Sequence, residues 1–127
     1  FSVGFGPHKN FKEKKNMSSS LTTVKQTIPL AADGLAQKYV NTTATTITKA
    51  RIMSVFGMAT GADAEIKIYD EADSSKTASK LVFHGKFATA DNHVHNFDIA
   101  GQGIKCDAGM YVDLTNCDFC TIIGAFT

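Results

Sequence analysis

Apolar and polar residues alternate in short segments between turn residues, and this alternation is the feature that most constrains the fold of the chain. The segment 64–70 shows it most plainly, with Ile66 and Ile68 on one side and Glu65, Lys67 and Tyr69 on the other. Residues two apart in a strand face the same side of a sheet, so the pattern predicts a strand with one buried face. An apolar stripe of helical period longer than about two turns is missing throughout the sequence.

Segments of this kind recur roughly every 8–12 residues, the spacing that is typical of a sandwich or barrel. In the segment 50–58, Ile52, Phe56 and Met58 are expected on one face and Val55 on the other. We predict an all-β fold, an antiparallel, jelly-roll-like β-sandwich of eight or nine short strands over residues 21–127. The predicted segments are 24–28, 37–40, 42–58, 64–70, 81–87, 97–99, 104–107, 110–114 and 118–126.

Residues 1–20 show no period of either kind and are predicted to be an extended, basic N-terminal arm. Residues 1–16 carry four lysines against one glutamate, a charge of +3, which leaves nine basic and eleven acidic residues in the rest. Lysines without arginine, interleaved with spaced phenylalanines, favour a protein neighbour over nucleic acid. The predicted partner-binding residues are Phe1, Phe5, Lys9, Phe11, Lys12, Lys14 and Lys15.

Composition sets the expected compartment. The cysteine count of three is odd, which favours buried, reduced thiols over a disulfide framework. No apolar run approaches the ~20 residues that cross a bilayer, and the first residues do not form a signal peptide. We therefore expect synthesis in a reducing cytoplasm and no membrane partner. Either Met17 is the usual start, or Phe1 results from processing, and the sequence fits both.

Two motifs invite a metal site. His93 and His95 are two apart on a predicted strand, so both imidazoles could reach one ion, but Asp98 would face the other side. Cys117 and Cys120 have the spacing of a zinc knuckle, yet they are expected on opposite faces of a strand. Packing is the prediction that we prefer for both motifs.

Other chemistry has still less support. The acidic stretch of Asp70, Glu71 and Asp73 lacks the ligand spacing and central glycine of a calcium loop, so a solvated turn is expected. The acceptor-like triplet at Asn41 is treated as chance, since no secretion signal accompanies it. No Ser/His/Asp arrangement or phosphate-binding glycine loop is present. We predict no enzymatic activity, no cofactor and no metal.

Three segments resemble a group of small structural proteins of tailed phages, especially phages of marine bacteria. They are Arg51–Gly57, then Ile66–Asp70 with its polar loop, and Gly103–Val112, which leads to a final strand. The resemblance covers roughly the last two thirds of the chain. Cys106 stands where the group usually has a larger apolar residue, and the arm has no counterpart there. In the last segment, Gly109 is expected to provide the positive φ of a tight hairpin.

The resemblance implies a non-enzymatic virion protein, most specifically a capsid decoration or cement protein that binds the major capsid protein. It also implies a symmetric oligomer, with a trimer favoured. A tail, head-fibre or knob component is the alternative position. A sugar-binding module is the rival class, and only Tyr39, Tyr69 and Tyr111 could build its aromatic face. A small metal enzyme at His93 and His95 is the third possibility.

Overall fold

The computed structural model describes residues 24–127, so the predicted arm, residues 1–20, lies outside the described residues. Within 24–127 the chain forms eleven strands and one short 3₁₀ helix, Ala78–Lys80, and the all-β prediction is confirmed. The strands are β1 (Val24–Gln26), β2 (Gly34–Leu35), β3 (Gln37–Val40), β4 (Thr43–Thr46), β5 (Ala50–Ala59), β6 (Glu65–Tyr69), β7 (Leu81–Lys86), β8 (Val94–Asp98), β9 (Ile104–Cys106), β10 (Tyr111–Thr115) and β11 (Cys117–Phe126).

Two antiparallel sheets packed against each other form the body. The first sheet has the strand order β1-β11-β5-β8, with β9 also paired to β5, and the second has the order β2-β10-β6-β7. Apart from the β3–β4 hairpin and β9, the strands pair in a nested order. β1 pairs with β11, β2 with β10, β5 with β8, and β6 with β7. This nesting is a long hairpin rolled up on itself, which is the predicted jelly roll.

The core lies between the sheets and is built from the inner row of each strand. Ile66 and Ile68 of β6 are fully buried, as predicted, and belong to one cluster with Val112 of β10 and Ile122 of β11. Burial of such a side chain contributes about 1.5–3 kcal/mol relative to exposure. The alternation that is visible in the sequence is therefore the main stabilising pattern of the fold.

A β-bulge in β5 changes which of its side chains enter the core. The register of β5 with β11 skips Met53, which has no partner on β11. Because the extra residue shifts the alternation by one, Ile52 and Val55 are both fully buried, whereas Phe56 and Met58 are only half-buried on the outer side. The prediction that Phe56 and Met58 share the face of Ile52 is wrong for this reason.

Gly109 has the expected positive φ, +139°, but it does not turn a hairpin. On its N-terminal side β9 pairs with β5 in the first sheet, and on its C-terminal side β10 pairs with β2 and β6 in the second. The chain therefore crosses between sheets here, and the predicted hairpin is wrong. A Cβ at this position would lie 2.9 Å from the carbonyl oxygen of Glu71, so close backbone approach also requires glycine.

Replacement of Ile122 by Ala should lower the free energy of unfolding by about 2–5 kcal/mol, because a fully buried side chain leaves a cavity. The matched control is Ile123→Ala on the outer face of the same strand, which should cost less than half as much. Urea unfolding followed by far-UV circular dichroism measures both values. Equal losses would contradict the assignment of the two faces.

Candidate functional site

The predicted partner-binding residues of the arm lie outside the described residues, but the structure shows where the arm joins the body. Val24, the first described residue, begins β1, and β1 is an edge strand of the first sheet. Val24 pairs with Ala125 of β11. Whatever the arm contacts, it leaves the body from this edge.

The predicted histidine pair is arranged around a carboxylate. Nε2 of His95 lies 3.0 and 3.1 Å from the two carboxylate oxygens of Asp91, and the backbone N–H of His93 donates to the same carboxylate over 3.1 Å. The hydrogen bond from His93 lowers the pKa of Asp91, and His95 lowers it further. Among residues 24–127 no three His, Cys, Asp or Glu side chains are grouped so that they could hold a metal ion. The arrangement closes the loop before β8.

The two cysteines of the CxxC motif lie on one face of β11, which corrects the prediction of opposite faces. Cys117 pairs with Ala59 and Cys120 with Gly57, and Asp118 is the extra residue of a second bulge. Both cysteines therefore face inward and pack in or against the core. All three cysteines are free thiols.

The thiols are poorly suited to redox or metal chemistry. Burial raises the pKa of Cys106 and of Cys120 to about 12, and burial also raises the pKa of Cys117. The thiolate is the reactive and metal-binding form, so a raised pKa suppresses both reactions. The predicted packing role fits these surroundings.

The acidic loop is held by its own hydrogen bonds. The Asp70 carboxylate accepts from the backbone N–H of Ala108 over 2.7 Å. Glu71 accepts from the N–H and hydroxyl of Thr77 over 2.7 and 3.0 Å, and Asp73 accepts from the N–H of Ser75 over 3.0 Å. The carboxylates organise the loop 70–80, which goes beyond the solvated turn that we predicted.

The loop 70–80 is also tied to the second sheet, where two tyrosines are buried. Lys76 lies 3.2 Å from Asp33 and 3.5 Å from Asp113, and these carboxylates raise its pKa. Tyr69 and Tyr111 are paired across strands on the outer side of this sheet, but they are only 7% and 8% exposed. Tyr69 thus lies on the outer side of β6, as the alternation predicts, but it is buried there.

The structure does not assemble the three tyrosines into one aromatic face. Tyr39 is 62% exposed on the separate β3–β4 hairpin, away from the buried Tyr69–Tyr111 pair. The sugar-binding surface that the sequence could have built from them is not formed by these residues.

The remaining outer surface of the second sheet is charged. Lys67 pairs with His84, and Glu65 pairs with Lys86 across β6 and β7. Glu65 also forms a hydrogen bond with His84, which lowers the pKa of Glu65. Such a surface is well solvated and offers no extended apolar contact.

The outer surface of the first sheet is different, and it forms a shallow groove that runs across all four strands of the β1-β11-β5-β8 path. Its volume is about 310 Å³. We call it the apolar groove, and it is lined by Gln26, Phe56, Val94, Phe119, Thr121 and Ile123. Val94 is 57% exposed, although it is a large aliphatic side chain. Clustered exposed apolar side chains mark interaction surfaces more often than scattered ones do.

A polar cluster borders the apolar groove on β8. The hydroxyl of Ser54 and the amide of Asn96 both donate to Asp98, over 3.1 and 3.0 Å, and Ser54 also contacts the Asn96 side-chain oxygen. Among residues 24–127 no basic side chain lines the groove, and Asp98 is the acidic residue of this bordering cluster. The groove therefore suits an apolar ligand with a basic flank.

Sequence reasoning missed the apolar groove, although β11 carried a signal for it. From Phe119 to Ile123 this strand has apolar side chains on both faces, Cys120 and Ile122 inward and Phe119 and Ile123 outward. Strands that are covered on both sides read in this way. The sequence did not reveal which of the two faces of β11 lacks a second layer of protein packed against it.

Comparisons of the chain with protein-family models, with curated proteins and with solved structures found no match. Within 24–127, the structure contains no helix that is long and apolar enough to cross a membrane.

Thiol alkylation should be slow in the folded protein. With a pKa of about 12 in place of the ordinary 9.0, the thiolate fraction of Cys106 and Cys120 at pH 8 is about a thousandfold lower than in the unfolded chain. Iodoacetamide labelling followed by mass spectrometry should show both sites protected until guanidinium is added, with Cys117 labelled sooner. Native labelling of Cys120 at the unfolded rate would contradict its burial.

Proposed function

We propose that this chain is a non-enzymatic structural protein of a phage particle, which decorates the capsid by binding the major capsid protein. The observation that carries the proposal is the apolar groove on the first sheet, next to the edge from which the basic arm departs. An apolar groove on one face of the body, opposite a charged outer sheet, marks a face that is suited to contact protein neighbours in the particle.

The sequence resemblance supports the same function. Its segments Arg51–Gly57, Ile66–Asp70 and Gly103–Val112 lie largely on β5, β6, β9 and β10, so they include both sheets of the jelly roll. Jelly rolls are common in viral capsids, although this is an analogy of fold and the function depends on the groove and the arm.

Repetition makes a modest interface sufficient. The groove is lined by only six residues, whereas a standard stable interface involves roughly 20–30 residues a side. Many copies on one shell, joined in a symmetric oligomer such as a trimer, bind through the sum of weak contacts. In this proposal the arm, with Phe1, Phe5 and Phe11, reaches a neighbouring subunit and joins the copies in the particle.

The position on the particle is tested on washed phage that encodes this chain. Gold-labelled antibodies raised against the protein should mark the heads, and mass spectrometry should find the chain in a fixed ratio to the major capsid protein. Label confined to tails or fibres would favour the alternative position as a tail, head-fibre or knob component. Absence from washed particles would refute a virion role.

Removal of residues 1–16 should weaken attachment to capsid shells without unfolding the body, whose core lies within 24–127. We expect a loss of at least about tenfold in affinity in co-sedimentation, or about 1.4 kcal/mol. The far-UV spectrum and the midpoint of thermal unfolding should stay unchanged.

Two matched variants separate the apolar from the charged contribution of the arm. Serine at Phe1, Phe5 and Phe11 should reproduce the truncation. Serine at the four arm lysines should cause a smaller loss that shrinks at high salt. Truncated protein that binds shells with unchanged affinity would refute the role of the arm.

A further inference from the structure

The direction of β1 shows at which end of the sheet residues 1–23 are attached, relative to the apolar groove. Val24, Lys25 and Gln26 pair with Ala125, Gly124 and Ile123, in that order. The groove lies on the side of Gln26, because its other β11 residues are Thr121 and Phe119. Val24, to which residues 1–23 are attached, is therefore at the end of β1 away from the groove.

The segment 1–23 is long enough to reach the groove of a neighbouring copy. Fully extended, 23 residues reach roughly 75 Å. The four strands that the groove crosses span only about 15 Å between the outermost axes, and the body has a radius of gyration of about 13 Å. A segment of this length, attached at the end of β1 away from the groove, is long enough to reach the groove of an adjacent copy.

The groove matches the arm in size and in chemistry. At 310 Å³ it lies at the lower end of the range of about 300–1,000 Å³ for ligand pockets, which suits one or two aromatic side chains. Phe5 and Phe11 are aromatic side chains of this kind, and the lysines that follow them carry the charge opposite to that of Asp98 at the border.

We infer that the apolar groove of one copy binds the phenylalanine-bearing arm of a second copy of this chain. The contact deepens the proposed function and rests on it for the close spacing of copies. Because the arm and the groove are separate surfaces, each copy can insert its arm into one neighbour and bind the arm of another neighbour in its groove. Contacts of this head-to-tail kind close into rings or continue as a lattice.

Photo-crosslinking of the full chain tests the inference. Benzoylphenylalanine replaces Phe5 or Phe11, and ¹⁵N-labelled and unlabelled copies are mixed at about 1 mM, a concentration like that of tethered neighbours. Mass spectrometry should then find mixed-isotope crosslinks between the arm and peptides with Val94 or Phe119. In crosslinks between copies, about half of the products combine one labelled and one unlabelled peptide.

Two exposed valines provide the variant and its control. Val94→Lys places a charge in the groove and should lower the crosslink yield at least fivefold. Val40→Lys makes the same change on the β3–β4 hairpin, at a residue of similar exposure, and should leave the yield unchanged. Both variants change solvent-facing residues, and circular dichroism checks that each one is folded.

Three results would overturn the inference. They are crosslinks that stay within one isotope, crosslinks that map to another surface, and an equal loss of yield for Val40→Lys and Val94→Lys. The purified protein is used without capsid shells, so this test can fail while shell binding succeeds. Shell binding can likewise fail while the arm–groove contact is found, which keeps the two proposals distinguishable.

Discussion

The pairing of β5 with β11 is the interaction on which the rest of the structure depends. These ten-residue strands are hydrogen-bonded along nearly their whole length at the middle of the first sheet, and β1, β8 and β9 are added to their edges. At the bulge, Gly124 passes so close to β5 that a Cβ there would lie 2.1 Å from the carbonyl oxygen of Arg51. Glycine is the residue that allows the two strands to approach at this point.

The two bulges of this pair decide what faces the core and what faces outward. The extra Met53 in β5 brings Val55 inside and leaves Phe56 outside. The extra Asp118 in β11 turns both cysteines of the CxxC motif inward. The extra residue in β5 thus places Phe56 in the apolar groove, and the extra residue in β11 turns Cys117 and Cys120 toward the core. Bulges commonly redirect side chains in this way.

Much of the fold was predictable because it follows from local alternation. The inward row of β6 and the all-β class both follow from patterns within a few residues. The prediction of a hairpin at Gly109 was wrong because the pairing there is not local. Its flanking strands find their partners far away in the sequence, and two apolar segments beside a glycine do not reveal which distant strand each one joins.

The contrast between the two outer surfaces explains why the arm was predicted from the sequence, whereas the groove that we propose it binds was not. Charge and spaced phenylalanines are visible in the sequence, whereas the groove exists only once four strands from distant parts of the chain lie side by side. An exposed apolar surface of this kind costs solubility unless something covers it. On the second sheet, by contrast, Tyr69 and Tyr111 are buried, and Lys76 of the loop 70–80 is ion-paired with Asp33 and Asp113. Among residues 24–127 nothing buries Val94 in this way, and it stays 57% exposed, which is why we propose that the arm of a second copy binds there.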